Sequence, residues 1–210
     1  MVDVAVVDYG MGNLHSVEQA LRKVAPDAEI IVSDDARVIA NAGRVVFPGQ
    51  GAMPDCMREL EARGLRNAVL EAARDKPFLG ICIGLQMLFE RSAEGDVAGL
   101  GILRGEVLRF ASNQHDAQGN KLKVPHMGWN RVHHGDHALW NGIEQDARFY
   151  FVHSYYVCPQ DASLVQGTSD YPQPFTCAVA QDNLFAVQFH PEKSQTAGLK
   201  LLQNFMQWNP

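Results

Sequence analysis

The sequence of 210 residues lacks the features by which membrane and secreted proteins are usually recognised. No apolar run approaches the roughly 20 residues that a helix needs to cross a bilayer. The first segment, "MVDVAVVDYG", carries neither a basic leader nor a cleavage-site pattern, which argues against a signal peptide. We therefore expect no membrane association and a cytoplasmic protein.

Cysteine is scarce, and neither cysteine nor histidine shows metal-ligand or disulfide spacing. The four cysteines, Cys56, Cys82, Cys158 and Cys177, include no CxxC pair. The eight histidines are scattered, without an HExxH motif or a Cys/His zinc pattern. We expect reduced thiols, no metal and no other cofactor.

Positive charge is also in short supply. Lys and Arg total 18 against 24 Asp and Glu, so the formal net charge is −6. Binding along a nucleic-acid backbone requires a basic face, and this balance argues against it. Apolar residues make up 46% of the chain, enough for a substantial core, and no low-complexity linker divides it. One domain over residues 1–210 is expected.

The first half of the chain alternates short β-branched runs with longer helical patterns. The runs that predict strands span 2–9, 28–33, 44–49 and 77–82, and the helical patterns cover 13–24, 53–74 and 84–90. Such alternation predicts an α/β fold: a doubly wound, mostly parallel sheet of flavodoxin-like type with helices on both faces. Sheets of this kind carry their sites at the carboxyl ends of the strands.

The second half changes to strand-like runs separated by turn signals such as Asp182-Asn183. These runs lie at 105–110, 124–132, 148–157, 163–171 and 175–190. We expect an antiparallel extension of the sheet, against which a final helix at 194–208 packs. The polar stretch 111–121 is expected to be a solvated hairpin loop without a functional role.

The segment "GICIG", residues 80–84, places a cysteine between two glycines at the predicted change from strand to helix. This is the spacing of the nucleophile elbow of serine hydrolases. A tight turn of this kind strains its corner residue, and Gly80 and Gly84 leave room for neighbouring elements. At the N-terminus of the next helix, Cys82 would be favoured as a thiolate nucleophile. Alone, the motif leaves open a buried cysteine that is merely apolar.

A second motif, "AVQFHPEKS" at 186–194, ends a predicted strand in His190. Pro191 biases His190 toward an extended backbone, so its imidazole and the carboxylate of Glu192 can converge on one side of the chain. A histidine held by a carboxylate is the base and its orienter in a nucleophilic triad. Because both motifs follow strands, Cys82 and His190 should meet at one edge of the sheet.

A third motif, "FPGQGAMPD" at 47–55, follows another predicted strand and should reach the same edge. Its glycines permit positive φ, which can turn backbone N–H groups into a site. Acyl transfer needs such donors to stabilise an oxyanion. An ordinary glycine-rich turn is the alternative reading of this stretch by itself.

In order and spacing, "PGQGA", "GICIGLQMLFE" and "HPEKS" resemble the class I, or triad, glutamine amidotransferases. The stretches "DYGMGNLHSV", "VPHMGWNRV" and "FVHSYYV" narrow the resemblance to the glutaminase subunits of imidazole glycerol phosphate synthases. The similarity extends from Asp8 to about Lys193. It implies an enzyme that hydrolyses L-glutamine to glutamate and ammonia through a cysteine thioester.

The resemblance implies Cys82 as the nucleophile, His190 as general base and acid, and Glu192 as its orienter. It implies four oxyanion positions, namely Gly49, Gln50, Gly51 and Ile83. It implies three positions that bind glutamine, namely Gln86, Ser154 and Tyr155.

The resemblance also implies a partner, a TIM-barrel cyclase subunit, in a heterodimer of histidine biosynthesis. Ammonia would pass to it and be built into imidazole glycerol phosphate, with aminoimidazole carboxamide ribonucleotide as the second product. Positions used around the partner interface correspond to Asn13, Trp129, Tyr150 and Lys193. Read from the residues alone, Trp129 and Tyr150 fit an aromatic core cluster, and Asn13 fits a cap of the first helix.

Two other readings stay open at this level. The same triad occurs in the glutaminases of pyridoxal phosphate, anthranilate and aminodeoxychorismate synthases, which would not be expected to combine "PHMGWN" with "DYGMGNL". A cysteine peptidase or a non-catalytic binding module could use the same scaffold. Labelling of Cys82 by a glutamine-like electrophile would separate the last of these from an enzyme.

Overall fold

The structure is a computed structural model that describes residues 2–116 and 118–210, so Ala117, within the predicted loop 111–121, lies outside the described residues. The first seven strands are β1 (Val4–Val7), β2 (Ile30–Ser33), β3 (Arg44–Phe47), β4 (Phe78–Ile81), β5 (Phe89–Ser92), β6 (Val97–Ala98) and β7 (Leu103–Arg109). The next seven are β8 (His126–Arg131), β9 (His133–His134), β10 (Arg148–His153), β11 (Tyr155–Pro159), β12 (Val165–Asp170), β13 (Pro174–Gln181) and β14 (Leu184–Val187).

The described part of the chain also contains six α-helices, of which the first five lie between strands and the last follows β14. They are α1 (Leu14–Val24), α2 (Ala36–Asn41), α3 (Met53–Ala62), α4 (Arg66–Asp75), α5 (Ile83–Gln86) and α6 (Gln195–Gln207). Short 3-10 turns lie at Ala138–Trp140, Ala162–Leu164 and Pro191–Lys193. Within these described residues, no helix combines the length and apolar character needed to cross a membrane.

The central sheet has a parallel half and an antiparallel half. Strands β2, β1, β3, β4 and β14 lie side by side in that order, and every neighbouring pair among them is parallel. The sheet continues through β13, β11 and β7 with antiparallel pairs, and β12 and β9 extend it beyond β13. This arrangement confirms the predicted α/β fold with a parallel centre and an antiparallel extension.

Alternating side chains of the parallel strands feed two separate cores. Along β1, Ala5 and Val7 join one apolar cluster while Val4 and Val6 join the other, as the two-residue repeat of a strand requires. Buried residues of α2, α3 and α4 complete the first cluster. Those of α1 and α6 complete the second. The sheet is therefore covered on both faces, as predicted.

Several predicted boundaries are wrong for identifiable reasons. The helical stretch 53–74 is two helices, because the chain turns at Gly64, whose φ is +67°. Residues 84–90 were expected to be helical, but α5 ends at Gln86 and Phe89 begins β5, which pairs in parallel with β7. A short apolar run is compatible with the repeat of a helix or with that of a strand, and here pairing with β7 favours the strand. Helix α2 was not predicted.

The run 148–157 is also not one strand. It breaks at Ser154 into β10 and β11, and β10 pairs with β8 in a separate two-stranded sheet, with Tyr150 opposite Trp129. The expected antiparallel extension is therefore split into two sheets. The final helix and the turn at Asp182-Asn183 are confirmed, the latter with φ of 50° at Asp182.

Candidate active site

Cys82 occupies a strained corner between β4 and α5. Its φ is 58° and its ψ is −111°, a region that a non-glycine residue rarely adopts. The corner is fixed on both sides, since the Cys82 N–H donates to the Val187 carbonyl of β14 at 2.8 Å and the Cys82 carbonyl accepts from Leu85 of α5. The thiol is thus held at the carboxyl end of β4, between β3 and β14.

The two glycines of the elbow are needed for the reason that the sequence suggested. A Cβ atom at position 84 would lie 2.0 Å from the Phe47 carbonyl oxygen at the end of β3. One at position 80 would lie 3.0 Å from the Cβ atom of Ala186 on β14. Close approach of the neighbouring strands and of α5 therefore excludes a side chain at position 84 and crowds one at position 80.

His190 and Glu192 form a buried pair after β14. The His190 Nδ1 atom lies 2.8 Å from Glu192 Oε1, and the side chains are 7% and 2% exposed. Pro191 begins a 3-10 turn whose N-cap, His190, is extended at φ −103° and ψ 97°. This confirms the geometry predicted from "HPE", in which proline turns the carboxylate back onto the imidazole.

The Cys82 thiol also affects the pKa of the His190 imidazole. Burial alone would lower the pKa of His190. Cys82 and Glu192 oppose this through their charges and their hydrogen bonds, and together they raise the pKa to about 10. Atom Nε2 is buried and has no hydrogen bond of standard geometry among the described residues. The imidazole is therefore held by the carboxylate through Nδ1, while Nε2 stays available for proton transfer at the cavity.

The loop at 48–51 follows β3 and packs directly against the elbow. A Cβ atom at position 49 would lie 1.9 Å from the Tyr9 hydroxyl and 2.4 Å from Ile83 Cγ2, so only glycine fits there. The Gln50 carbonyl accepts from the Cys56 thiol at 3.5 Å. Burial raises the pKa of Cys56 to about 11, so this thiol keeps the proton that it donates.

One cavity of roughly 410 Å³ gathers most of these groups, a size typical of a small-molecule site. Nine of the predicted site residues line it: Gln50, Gly51, Cys82, Ile83, Gln86, Ser154, Tyr155, His190 and Lys193. Gly49 and Glu192 support the walls from behind through the contacts given above. Asn13, Trp129 and Tyr150 do not line the cavity.

Comparison with known proteins shows to which family the chain belongs. The family model of class I glutamine amidotransferases matches residues 5–208. The chain is 66% identical to the imidazole glycerol phosphate synthase subunit HisH of Thiobacillus denitrificans, over 100% of this chain and 92% of that one. It is 63% identical to the HisH subunit of Dechloromonas aromatica, over 99% and 97%. The chain belongs to the class I glutamine amidotransferases, among the HisH subunits.

Solved structures agree on the fold of this amidotransferase. A glutamine amidotransferase structure matches with a TM-score of 0.72 over 97% of both chains at 17% identity. One from Thermotoga maritima matches with a TM-score of 0.60 over 91% of this chain and 76% of that one, also at 17% identity. The family model and the HisH relatives confirm the family resemblance read from the sequence, and the solved structures confirm its fold.

Sequence reasoning missed two polar residues of the amidotransferase site. Glu94, in the turn after β5, lines the cavity and accepts the N–H of Met53 at 2.8 Å through Oε2. Gln188, two residues before His190, is fully buried and donates to the sulfur of Cys82 at 3.8 Å. Glu94 follows a stretch misread as helix, and Gln188 lies within a strand-like run, so neither carried a distinct signal.

The positions predicted for a partner interface lie on the outer surface of the amidotransferase. Trp129 is 44% exposed, and with Met127 at 62% it is one of the two large apolar side chains exposed in the described residues. Tyr150 packs edge-on against Trp129 at 6.0 Å. Asn13 accepts the Ser16 N–H at 3.4 Å and so caps α1, while Lys193 is exposed at the cavity rim.

Proposed function

We propose that the chain hydrolyses L-glutamine with Cys82, His190 and Glu192 as its catalytic residues and delivers the ammonia to a synthase partner. The observation that supports this most directly is the strained Cys82 corner opening into the same cavity as the buried His190–Glu192 pair. A nucleophile, a base and an oriented carboxylate at one strand edge are the parts that a thioester mechanism requires.

In the proposed reaction, the Cys82 thiolate attacks the carboxamide carbon of glutamine and forms a tetrahedral intermediate. His190 then gives the proton on Nε2 to the leaving nitrogen, and the carbon–nitrogen bond breaks to release ammonia and leave a glutamyl thioester. Next, His190 takes a proton from water as the water attacks the thioester. The carbon–sulfur bond then breaks, which releases glutamate and restores the Cys82 thiolate, and the imidazole is again protonated.

The developing oxyanion needs backbone donors near the thiol. Ile83 is the first residue of α5, so its N–H has no acceptor within that helix. The loop of Gly49, Gln50 and Gly51 lies on the adjacent side, with φ of +108° at Gly51. We assign these four residues to oxyanion stabilisation, which typically contributes 10²- to 10³-fold to turnover for one donor.

The polar cavity wall fits the amino-acid end of glutamine. Gln86 uses Nε2 for the Tyr155 carbonyl at 3.2 Å and for Gln188 Oε1 at 3.0 Å, which leaves Gln86 Oε1 as an unpaired buried acceptor. Glu94 adds a carboxylate that can oppose an ammonium group. Ser154 and Tyr155, the other positions that the resemblance implied, also line the cavity.

The proposed partner is the TIM-barrel cyclase subunit of imidazole glycerol phosphate synthase, in histidine biosynthesis in the cytoplasm. The exposed apolar pair Met127 and Trp129 on β8 offers the kind of patch that marks a protein interface. Asn13, Tyr150 and Lys193 complete the assigned contact set. Ammonia is protonated in bulk water at neutral pH, so a closed interface would keep it nucleophilic until it reaches its acceptor.

The test is glutamate release from glutamine by the full chain, with and without the purified cyclase subunit and its nucleotide substrate. We expect release that depends on the partner and that falls at least about 10³-fold in Cys82→Ala. Cys158→Ala is the matched control, since Cys158 lies on β11 away from the cavity and should leave release unchanged. Full activity of Cys82→Ala would refute the assignment.

A further inference from the structure

A buried amide contacts the thiol and has no place in the proposed reaction steps. Gln188 is fully buried, and its Nε2 lies 3.8 Å from Cys82 Sγ, within the longer distances at which sulfur accepts hydrogen bonds. The Gln188 backbone N–H donates to the Cys177 carbonyl of β13 at 2.8 Å, which anchors the main chain at this residue to the sheet. Its amide is the neutral side-chain donor that the structure places against the sulfur.

The orientation of this amide is fixed by its neighbour. The Tyr155 carbonyl can only accept, so the group of Gln86 that faces it at 3.2 Å must be the NH₂. The same Gln86 NH₂ donates to Gln188 Oε1 at 3.0 Å. A flipped Gln188 amide would set two NH₂ groups against each other. The N–H of Gln188 therefore points to the sulfur.

The Tyr155 carbonyl is itself held by a second run of hydrogen bonds. His153 Nδ1 lies 2.7 Å from it, and His153 Nε2 lies 2.9 Å from His126 Nδ1. His126 Nε2 faces the Asn130 NH₂ at 3.3 Å, and that NH₂ also donates to the Asp170 carbonyl at 2.9 Å. His126 and Asn130 lie on β8, the strand that carries Trp129.

The protonation of the two histidines agrees with this direction. Burial lowers the pKa of His126 to about 4 and is the main cause that lowers the pKa of His153 to about 3, so both rings are neutral at pH 7. An amide donor at His126 Nε2 puts the ring proton on Nδ1, which donates to His153 Nε2. The His153 proton then lies on Nδ1, facing the Tyr155 carbonyl.

We propose that Gln188 is a positioning residue that holds and stabilises the Cys82 thiolate, and that a hydrogen-bonded chain from Asn130 on β8 fixes its amide. This inference rests on the proposed function, because it assumes that Cys82 is the nucleophile. A donor to a charged sulfur favours the thiolate over the thiol and keeps the sulfur aimed at the substrate carbon. The same series of hydrogen bonds connects β8, the strand that carries the exposed Trp129, to the Cys82 sulfur.

The first test replaces Gln188 by Met, which fills a similar volume without a donor. Alkylation of Cys82 by iodoacetamide at pH 7 should slow about tenfold, the effect expected of one lost hydrogen bond to a charged group. With the partner present, kcat should fall by a similar factor while KM stays within about twofold. The Gln188→Asn variant, which withdraws the amide by one methylene, should reproduce the loss.

The matched control is Asn204→Leu. Asn204 is another buried amide, which donates to the Leu139 and Asn141 carbonyls away from the cavity, so its loss should lower the melting temperature without changing the alkylation rate of the folded chain. Wild-type alkylation rates in both Gln188 variants would overturn the positioning role. Alkylation needs no glutamine turnover, so this result is separate from a failure of the proposed function.

The second test concerns the end of the hydrogen-bonded series that lies on β8, far from the sulfur. His126→Phe keeps an aromatic ring against Phe151 and Tyr171 but removes both hydrogen bonds. We expect alkylation of Cys82 to slow by about two- to fivefold, and the double variant with Gln188→Met to be no slower than Gln188→Met alone. Effects that multiply, or no effect of His126→Phe, would show that β8 is not coupled to the sulfur through this chain.

Discussion

At the scale of single residues, the site depends on groups whose chemistry is set by immediate neighbours. Cys82 has φ of 58° because the chain reverses there, and the strain is maintained by hydrogen bonds to β14 and α5. His190 keeps its proton because Cys82 and Glu192 oppose the effect of burial. The carboxylate therefore has two roles, to orient the imidazole and to stabilise its charge.

Glu192→Gln should separate these roles from that of the nucleophile. We expect kcat to fall on the order of 10²-fold, at least tenfold less than in Cys82→Ala, because the imidazole loses its orientation but the thiol remains. Without the carboxylate, the pKa of His190 should move down from about 10, as followed by NMR titration. Glu144→Gln, at an exposed turn, is the control. Equal and total losses would mean that the carboxylate has another function.

At the scale of elements, the site exists because strands β3, β4 and β14 end together. Their last residues are followed by the loop at 48–51, by Cys82 and, three residues after β14, by His190. Parallel pairing brings these carboxyl ends to one rim although they are distant in the chain. Helix α5 can pass this close to the Phe47 carbonyl only because residue 84 is a glycine.

Gly84→Ala should therefore damage the fold as well as the site. The added methyl group would lie 2.0 Å from the Phe47 carbonyl oxygen, a contact that β3 can relieve only by moving. We expect the free energy of unfolding to fall by about 3 kcal/mol in urea titrations, together with a loss of glutamate release. In Gly135→Ala the closest contact of the added methyl group would be the flexible end of the Gln166 side chain, so this variant should be within about 1 kcal/mol of wild type. Equal stability of the two variants would contradict the packing argument.

The parallel elements were the ones that sequence pattern predicted well. Each β-branched run of the first half contains a strand, because such runs buried on both faces have few alternatives. The sequence pattern failed at 84–90, where a short apolar run is compatible with a helix or a strand. It also failed at 148–157, where the pattern does not show that the run is divided between two sheets. Glu94 and Gln188 were missed because an acid in a turn and an amide just after a strand have no signature in the sequence, and only their spatial neighbours give them a role.

At the scale of the whole molecule, two cores enclose the sheet, and the β8–β10 pair adds a third layer whose outer side exposes Trp129. Its inner side buries His126 and His153, which are 4% and 5% exposed. Both pKa values lie below that of an unfolded histidine, so the unfolded chain binds protons that the native chain excludes. The contribution of these two histidines to the free energy of unfolding should therefore be fully present above about pH 6.5 and decrease as the pH falls toward 4.

Between pH 7 and pH 5, the free energy of unfolding should fall by about 2 kcal/mol for each of these histidines. His190 offsets less than about 1 kcal/mol of this loss, because its raised pKa makes its stabilising contribution nearly complete already at pH 7 and complete below about pH 6.5. Urea titrations at pH 7, 6 and 5 test the prediction, and His126→Phe should flatten the dependence by about half. A stability that stays constant across this range would contradict neutral burial of the pair.

The fold class and the family could be predicted from the sequence, and the residues proposed as the triad could be named from it, because periodic burial and short motifs are local properties of the chain. Even the turn of Glu192 toward His190 followed from one proline. The amide orientations of Gln86 and Gln188, the position of Glu94 and the exposed face of β8 became known from the folded chain alone. Those properties depend on partners far apart in the chain, and a hydrogen bond or a burial exists only when both sides are in place.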